Sequence, residues 1–205
     1  NFPLAHLRLG ICCFKGGQLA EAADHFKDVI GNDNHNRDAW NCLAATHLKQ
    51  KAFTPARKSF ERVLQTIDKD DPYALVSLGN IYIELARTDK SRKHLQDYHK
   101  RALEFFSKAS NLKGGNIYAA QGIGVLFAER GLTADARDVF TTVRAHFPDS
   151  LQTSLNYAHT LIESAQYSGA ATVYTSILAG DHEETPGKTV SLLLFLCRAL
   201  YLLAL

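Results

Sequence analysis

The stretch YAAQGIGVLFAERGLTADARDVF, residues 118–140, decides how the chain folds. Gly124 is followed twelve residues later by Ala136 and four residues after that by Phe140, with Gly131 breaking the run between them. Apolar and small residues recur at helical rather than alternating spacing, so the stretch reads as two helices joined at a glycine turn. It carries no nucleophile with a base, no metal cluster and no phosphate loop. The same triplet recurs along the chain: Gly10, Ala22 and Phe26; Ala44, Ala56 and Phe60; Ala158, Ala170 and Tyr174. Gly79 pairs with Ala102 and Phe106, with eleven extra residues between the small pair, and Cys197 opens a sixth copy. The anchors fall at 10, 44, 79, 124, 158 and 197; three of the five intervals are 34 or 35 residues, and the others are 45 and 39.

A period of about 34 residues with two helices per unit is the signature of the tetratricopeptide repeat, TPR. Two helices whose axes approach to about 8–10 Å need small side chains where they cross, which accounts for the first two positions of the triplet. The aromatic one turn further along is expected to fill the gap between neighbouring repeats. The fold expected is all-α, a right-handed α-solenoid of helix hairpins. The repeats run at about 3–36, 37–71, 72–115 with an insertion at 87–98, 117–150, 151–187, and a first helix alone at 190–205, all in one array. The turns KGGQ, KAFTP, ERGLTA and AQYSG join the helices of four hairpins. Thr54 before Pro55 is expected to cap a second helix, Asp71 before Pro72 to open a first helix running from about Tyr73 to Ala86, and Asp149–Ser150 to cap the helix after Pro148.

Composition bounds the function. In 205 residues, 46% are apolar, enough for a sizeable core, and a net charge of +2 is too small to argue for a polyanionic partner. Cys12, Cys13, Cys42 and Cys197 form no CxxC pair and no disulfide framework, which suggests a reducing compartment. The absence of Met and of a leader, and the apolar run Val190–Leu205, read as a piece cut from a longer chain. That run is 16 residues long with Arg198 inside it, shorter than the roughly 20 a membrane span needs, so it reads as a packed helix and no membrane contact is expected.

No residue group carries chemistry. His94 and His99 are five apart, about 140° on a helix, off a common face. His6 with Cys12 and Cys13 makes no ligand set, since adjacent cysteines point apart and a buried thiol acts as a small hydrophobe. Gly122 and Gly124 lack the third glycine and the strand of a phosphate loop. No catalytic residue, metal or cofactor is expected. What remains is a binding surface on the concave face of the first helices, with Asn41 and Lys49; Tyr73, Asn80 and Glu84; Tyr118, Gln121 and Glu129; and Gln152, His159 and Glu163 as candidates. The basic residues Lys90, Arg92, Lys93, Lys100 and Arg101 are candidates for an acidic partner or nucleic acid, set against a merely solvated helix face. TPR proteins that clamp a chaperone's C-terminal carboxylate carry Lys and Asn four residues apart on the first helix. The matching pairs here, from Leu7/Ile11 to Leu155/His159, do not.

The particular words say more than the period. NIYAAQGIGVLFAERGLTADARDVFTTVR (116–144), LGNIYIE (78–84), HKRALEFF (99–106), LNYAH (155–159) and CRALY (197–201) resemble the TPR scaffold subunits of the RNA polymerase II-associated factor complex over about residues 72–201. Ser154 and Cys197 stand where that family tends to have Trp and Ala. The resemblance implies a nuclear, non-enzymatic scaffold that contacts other subunits of the complex and RNA polymerase II and supports co-transcriptional histone modification. Its partners would be extended or helical segments ordering in the groove. The alternatives are a TPR scaffold of a ubiquitin ligase or trafficking assembly, and the TPR arm of an enzyme.

Overall fold

In the computed structural model of the chain, residues 2–112, 115–179 and 186–204 are described, the last segment without the side chains of 186–190. Its described elements are all helices: α1 (Pro3–Lys15), α2 (Leu19–Asn32), α3 (Arg37–Lys49), α4 (Phe53–Thr66), α5 (Pro72–Thr88), α6 (Leu95–Ser110), α7 (Ile117–Glu129), α8 (Thr133–His146), α9 (Leu151–Glu163), α10 (Tyr167–Ala179) and α11 (Pro186–Ala204). They fall into two compact units, residues 1–119 and 120–205. Within each, consecutive helices pack in the order of the chain, as in an α-solenoid of TPR hairpins.

The triplet is the crossing. Ala22, Ala56, Ala102, Ala136 and Ala170 have no exposed surface, and Phe26, Phe60, Phe106, Phe140 and Tyr174 have at most 1%. The aromatic shares a core with the next repeat, as expected: Phe26 with Leu43, Phe60 with Ala74 and Leu78, and Tyr174 with Leu192. It also lies on the small anchor of its own hairpin. A Cβ added at Gly10, Gly79 or Gly124 would meet the ring of Phe26, Phe106 or Phe140 at 2.6, 2.5 and 2.8 Å. Two of the rings also meet an aromatic of the next repeat: Phe60 meets Tyr73 edge-on at 5.8 Å, and Tyr174 stacks on Phe195 at 5.9 Å. A second buried stripe lies five residues before and two after every anchor but the first: Ala39 and Thr46, Ala74 and Ile81, Ala119 and Leu126, Thr153 and Thr160, Leu192 and Ala199. Ala74 and Ile81 share a core with Ala56, Phe60 and Val63 of the preceding helix, and Leu192 and Ala199 share one with Tyr174. The anchor at 197 is therefore in phase, although Cys197 itself is exposed.

Four hairpin turns use the backbone alone. Gly17, Lys51, Gly131 and Ala165 take φ of 83°, 58°, 75° and 58°. The next N–H in each case, from Gln18, Ala52, Leu132 and Gln166, donates to the carbonyl five residues back at 2.8–2.9 Å. This left-handed cap sends the chain straight into the second helix, so α4 starts at Phe53 with Ala52 as its N-cap and Thr54 lies inside it, not capping it as expected. Lys51 and Ala165 adopt a conformation that suits glycine. Lys51→Gly and Ala165→Gly are each expected to raise stability by about 0.5–1 kcal/mol, read as a higher melting midpoint.

First helices are capped by side chains instead. The carboxylate of Asp71 accepts from Ala74 N at 2.6 Å ahead of Pro72, and Asn36 and Asn116 cap Ala39 N and Ala119 N at 3.0 Å each. Before α9 the cap is Ser150, not Asp149. The inserted residues of the third hairpin are taken up partly as helix: α5 runs to Thr88, beyond the Ala86 expected, leaving a turn at 89–94 before α6. The expected end of the fifth repeat lies partly outside the described residues, and α11 begins at Pro186 rather than 190. Cys12 is exposed and Cys13 half-buried, so neither is the buried hydrophobe expected. No described helix is long and apolar enough to cross a membrane.

Candidate protein-binding surface

The anchor that faces the second helix also fixes which residues of the first helix do not. Positions six and three before it, and one and five after it, fall along one stripe of a 3.6-residue helix. The expected groove residues occupy these places, and every one is exposed or half-buried. In the first unit they are Asn41 and Lys49 on α3, Tyr73, Asn80 and Glu84 on α5, and Tyr118 at the start of α7. In the second they are Gln121 and Glu129 on α7, and Gln152, His159 and Glu163 on α9. Tyr73 is 51% and Tyr118 69% exposed. Exposed aromatic rings on a rigid helix offer large contact area at little entropic cost, the usual anchor of a protein interface.

Some candidates are engaged within the chain. Lys49 Nζ donates to Phe14 O at 3.1 Å and lies 4.6 Å from the Phe14 ring, tying α3 to the end of α1. Asn41 Nδ2 donates to the Asp71 carboxylate at 3.4 Å. Glu84 pairs with Arg87, and Gln152 donates to Asn156 at 3.1 Å. Burial, with lesser contributions from neighbouring Cys42 and Asp71, holds the Tyr73 hydroxyl above its ordinary range, so it remains a neutral donor.

His159 sits in a recess of 310 Å³ lined by His159, Ile162, Glu163, Phe195 and Arg198 of α9 and α11. Its ring meets Phe195 edge-on at 4.7 Å, and Phe195 stacks on Tyr174 at 5.9 Å. His159 Nε2 and the Tyr174 hydroxyl are buried with no hydrogen-bond partner from the described residues. Burial pushes the Tyr174 hydroxyl up to about 12, with Arg198 pulling the other way. Burial and then the Arg198 guanidinium lower the His159 pKa, against Glu163. A group entering this recess would meet a cation and a carboxylate beside the His159 ring. Phe195, Arg198 and Tyr174 were not among the expected residues. Arg198 follows the sixth anchor by one residue, as His159 follows the fifth, and that offset was the available signal.

A histidine with a lowered folded pKa contributes stability that is complete above the unfolded value near 6.5 and is lost as pH falls below it. The second unit is therefore expected to lose stability between pH 7 and 5. His159→Phe should flatten that dependence in thermal melts, whereas an unchanged slope would assign the acid sensitivity elsewhere.

The basic candidates divide. Lys90, Arg92 and Lys93 lie exposed on the 89–94 turn, and Lys100 is exposed on α6. The turn is held by Asp89, which accepts from Ser91 N at 3.0 Å and His94 N at 3.2 Å; the Ser91 hydroxyl and these N–H groups keep its carboxyl below the usual range. Arg101, also exposed, is engaged within the chain, donating to the Tyr82 hydroxyl at 3.0 Å beside its ring.

Models of the tetratricopeptide repeat match residues 1–37, 17–74 and 118–150. The chain is 33% identical over 177 residues to the RNA polymerase-associated protein CTR9 of Caenorhabditis elegans, covering 84% of this chain and 15% of that protein. It is 28% identical over 204 residues to the CTR9 homolog of Arabidopsis thaliana (96% and 18%) and 30% identical over 140 residues to CTR9 of Saccharomyces cerevisiae (65% and 13%). The chain thus spans less than a fifth of the length of these relatives. Among solved structures, a thermophilic TPR protein of Thermus thermophilus superposes with a TM-score of 0.78 at 19% identity over 98% of this chain and 100% of its own. The type IV pilus biogenesis factor PilW superposes at 0.77 with 18% identity, over 97% and 86%. These likenesses show the fold.

Proposed function

The chain belongs to the tetratricopeptide-repeat family and is a relative of the CTR9 proteins, and on that premise we propose that it is a non-enzymatic scaffold acting in transcription elongation with RNA polymerase II. In this reading it works in the nucleus, holds other subunits of the polymerase-associated factor complex, and supports co-transcriptional histone modification. The observation that carries the proposal is 33% identity, over 84% of the chain, to a protein named for association with RNA polymerase. The surface is compatible with it: each unit offers first-helix residues left outside the hairpin crossings, where extended or helical partner segments can dock.

The test is purification of the full-length protein from nuclear extract. RNA polymerase II and the associated-factor subunits are expected to co-purify, and recovery without them would overturn the proposal. Tyr118→Ala is expected to weaken one of those partners at least tenfold, about 1.4 kcal/mol, with helicity unchanged. Undiminished binding of every partner would remove that ring from the interface.

A further inference from the structure

The first hairpin brings together three side chains whose chemistry the scaffold role does not use. His6 on α1 and His25 on α2 place their Nδ1 atoms 3.3 Å apart. The Asp28 carboxylate, one turn along α2, lies 3.5 Å from His6 Nδ1. One ligand atom from each of the three falls within 4.8 Å of the others. We propose that His6, His25 and Asp28 form a zinc-binding site.

Zinc bonds of about 2.0–2.1 Å arranged as a tetrahedron set neighbouring ligand atoms about 3.3 Å apart. Two edges of that tetrahedron are thus nearly in place before any ion arrives. The remaining edge, from His25 to Asp28, closes by rotation of a carboxylate that is 60% exposed. Without a cation, two ring nitrogens and a carboxylate oxygen, all ligand-type atoms, converge on one place. A divalent ion satisfies all of them together. Two imidazoles and one carboxylate suit zinc better than magnesium or calcium, which favour oxygen ligands alone. The fourth position is left to water.

Packing does not call for these residues. Four residues before the anchor, where the first hairpin has His6, the later hairpins carry Trp40, Leu75, Ala120 and Ser154. At the place of His25, just before the aromatic of the triplet, they carry Ser59, Phe105, Val139 and Val173. At the place of Asp28 they carry Arg62, Lys108, Thr142 and Ser176. Only the first hairpin sets ligand-type side chains at all three. The surroundings are partly dry: Leu7, Ile11 and Ile30 pack against the core beneath. In sequence the three are hidden, because His6 and His25 are 19 residues apart and meet only across the helix pair.

The experiment titrates the full chain, reduced and metal-free, with zinc chloride by calorimetry and follows its thermal midpoint. Expected are one zinc per chain and a midpoint raised by about 5–10 °C at a hundredfold excess over the dissociation constant. His6→Asn and His25→Asn, which keep comparable bulk, are expected to weaken binding at least tenfold while leaving the metal-free midpoint and helicity near those of the parent. Asp28→Asn should also weaken it. Cobalt separates this site from the nearby thiols Cys12 and Cys13: nitrogen and oxygen ligation gives visible bands without the strong near-ultraviolet thiolate transition. No stoichiometric binding overturns the proposal. So does binding that survives His25→Asn but is lost in Cys12→Ser with Cys13→Ser.

Discussion

Phe106→Ala is expected to destabilise the first unit by about 3–5 kcal/mol. The ring has no exposed surface and lies against the backbone of Gly79, close enough that an added Cβ would meet it at 2.5 Å. Truncation removes an aromatic from the helix crossing and leaves a void bounded by a glycine and Ala102, neither of which can extend into it. The opposite change, Gly79→Leu, overpacks the same place and is expected to cost about 1–3 kcal/mol despite leucine's better helix propensity. Combining the two should cost distinctly less than their sum, because the leucine enters the space that the ring vacated. Urea unfolding of the parent, both single variants and the double variant measures this coupling. Strictly additive costs would show that the two residues do not share one crossing.

Asp71→Ala is expected to cost about 2–4 kcal/mol. The Asp71 side chain is 5% exposed and holds three neighbours: Ala74 N at 2.6 Å, Asn41 Nδ2 at 3.4 Å and Arg37 Nε at 3.7 Å. Alanine removes the cap of α5, worth about 0.5–2 kcal/mol, and leaves the half-buried Asn41 amide without its acceptor. Asp71→Asn retains an oxygen that can cap but gives up the ionic contact with Arg37, and should lose only part of that amount. Equal losses in the two variants would mean that charge, rather than capping, matters at this joint.

The hairpins were legible because their crossing is written in one residue class. A ring packed on the anchor leaves room only for a small side chain, so Gly79 and Ala102 stood out even across eleven extra residues. The second buried stripe was not legible. Two residues after the anchor, Thr46, Ile81, Leu126, Thr160 and Ala199 share a position but no one residue class. Thr54 misled because Thr-Pro has the chemistry of a cap, whereas the left-handed Lys51 had already returned the chain to a helix. At the candidate surface, helical periodicity picked out a stripe whose residues are all exposed or half-buried. It could not show that Lys49 and Asn41 are held by distant partners, or that α11 completes the recess around His159, because those contacts join residues up to 39 positions apart.

The lengthened third hairpin shows how this architecture takes up additional sequence. Its surplus residues extend α5 and form the turn around Asp89, while the contact of Phe106 on Gly79 matches that in hairpins of ordinary length. Change in length is thereby uncoupled from the joint that holds the rods together. The tip at 90–93 is accordingly a natural berth for a foreign peptide, such as an epitope or a fluorophore-labelling tag, which would report on the scaffold from outside without loosening it.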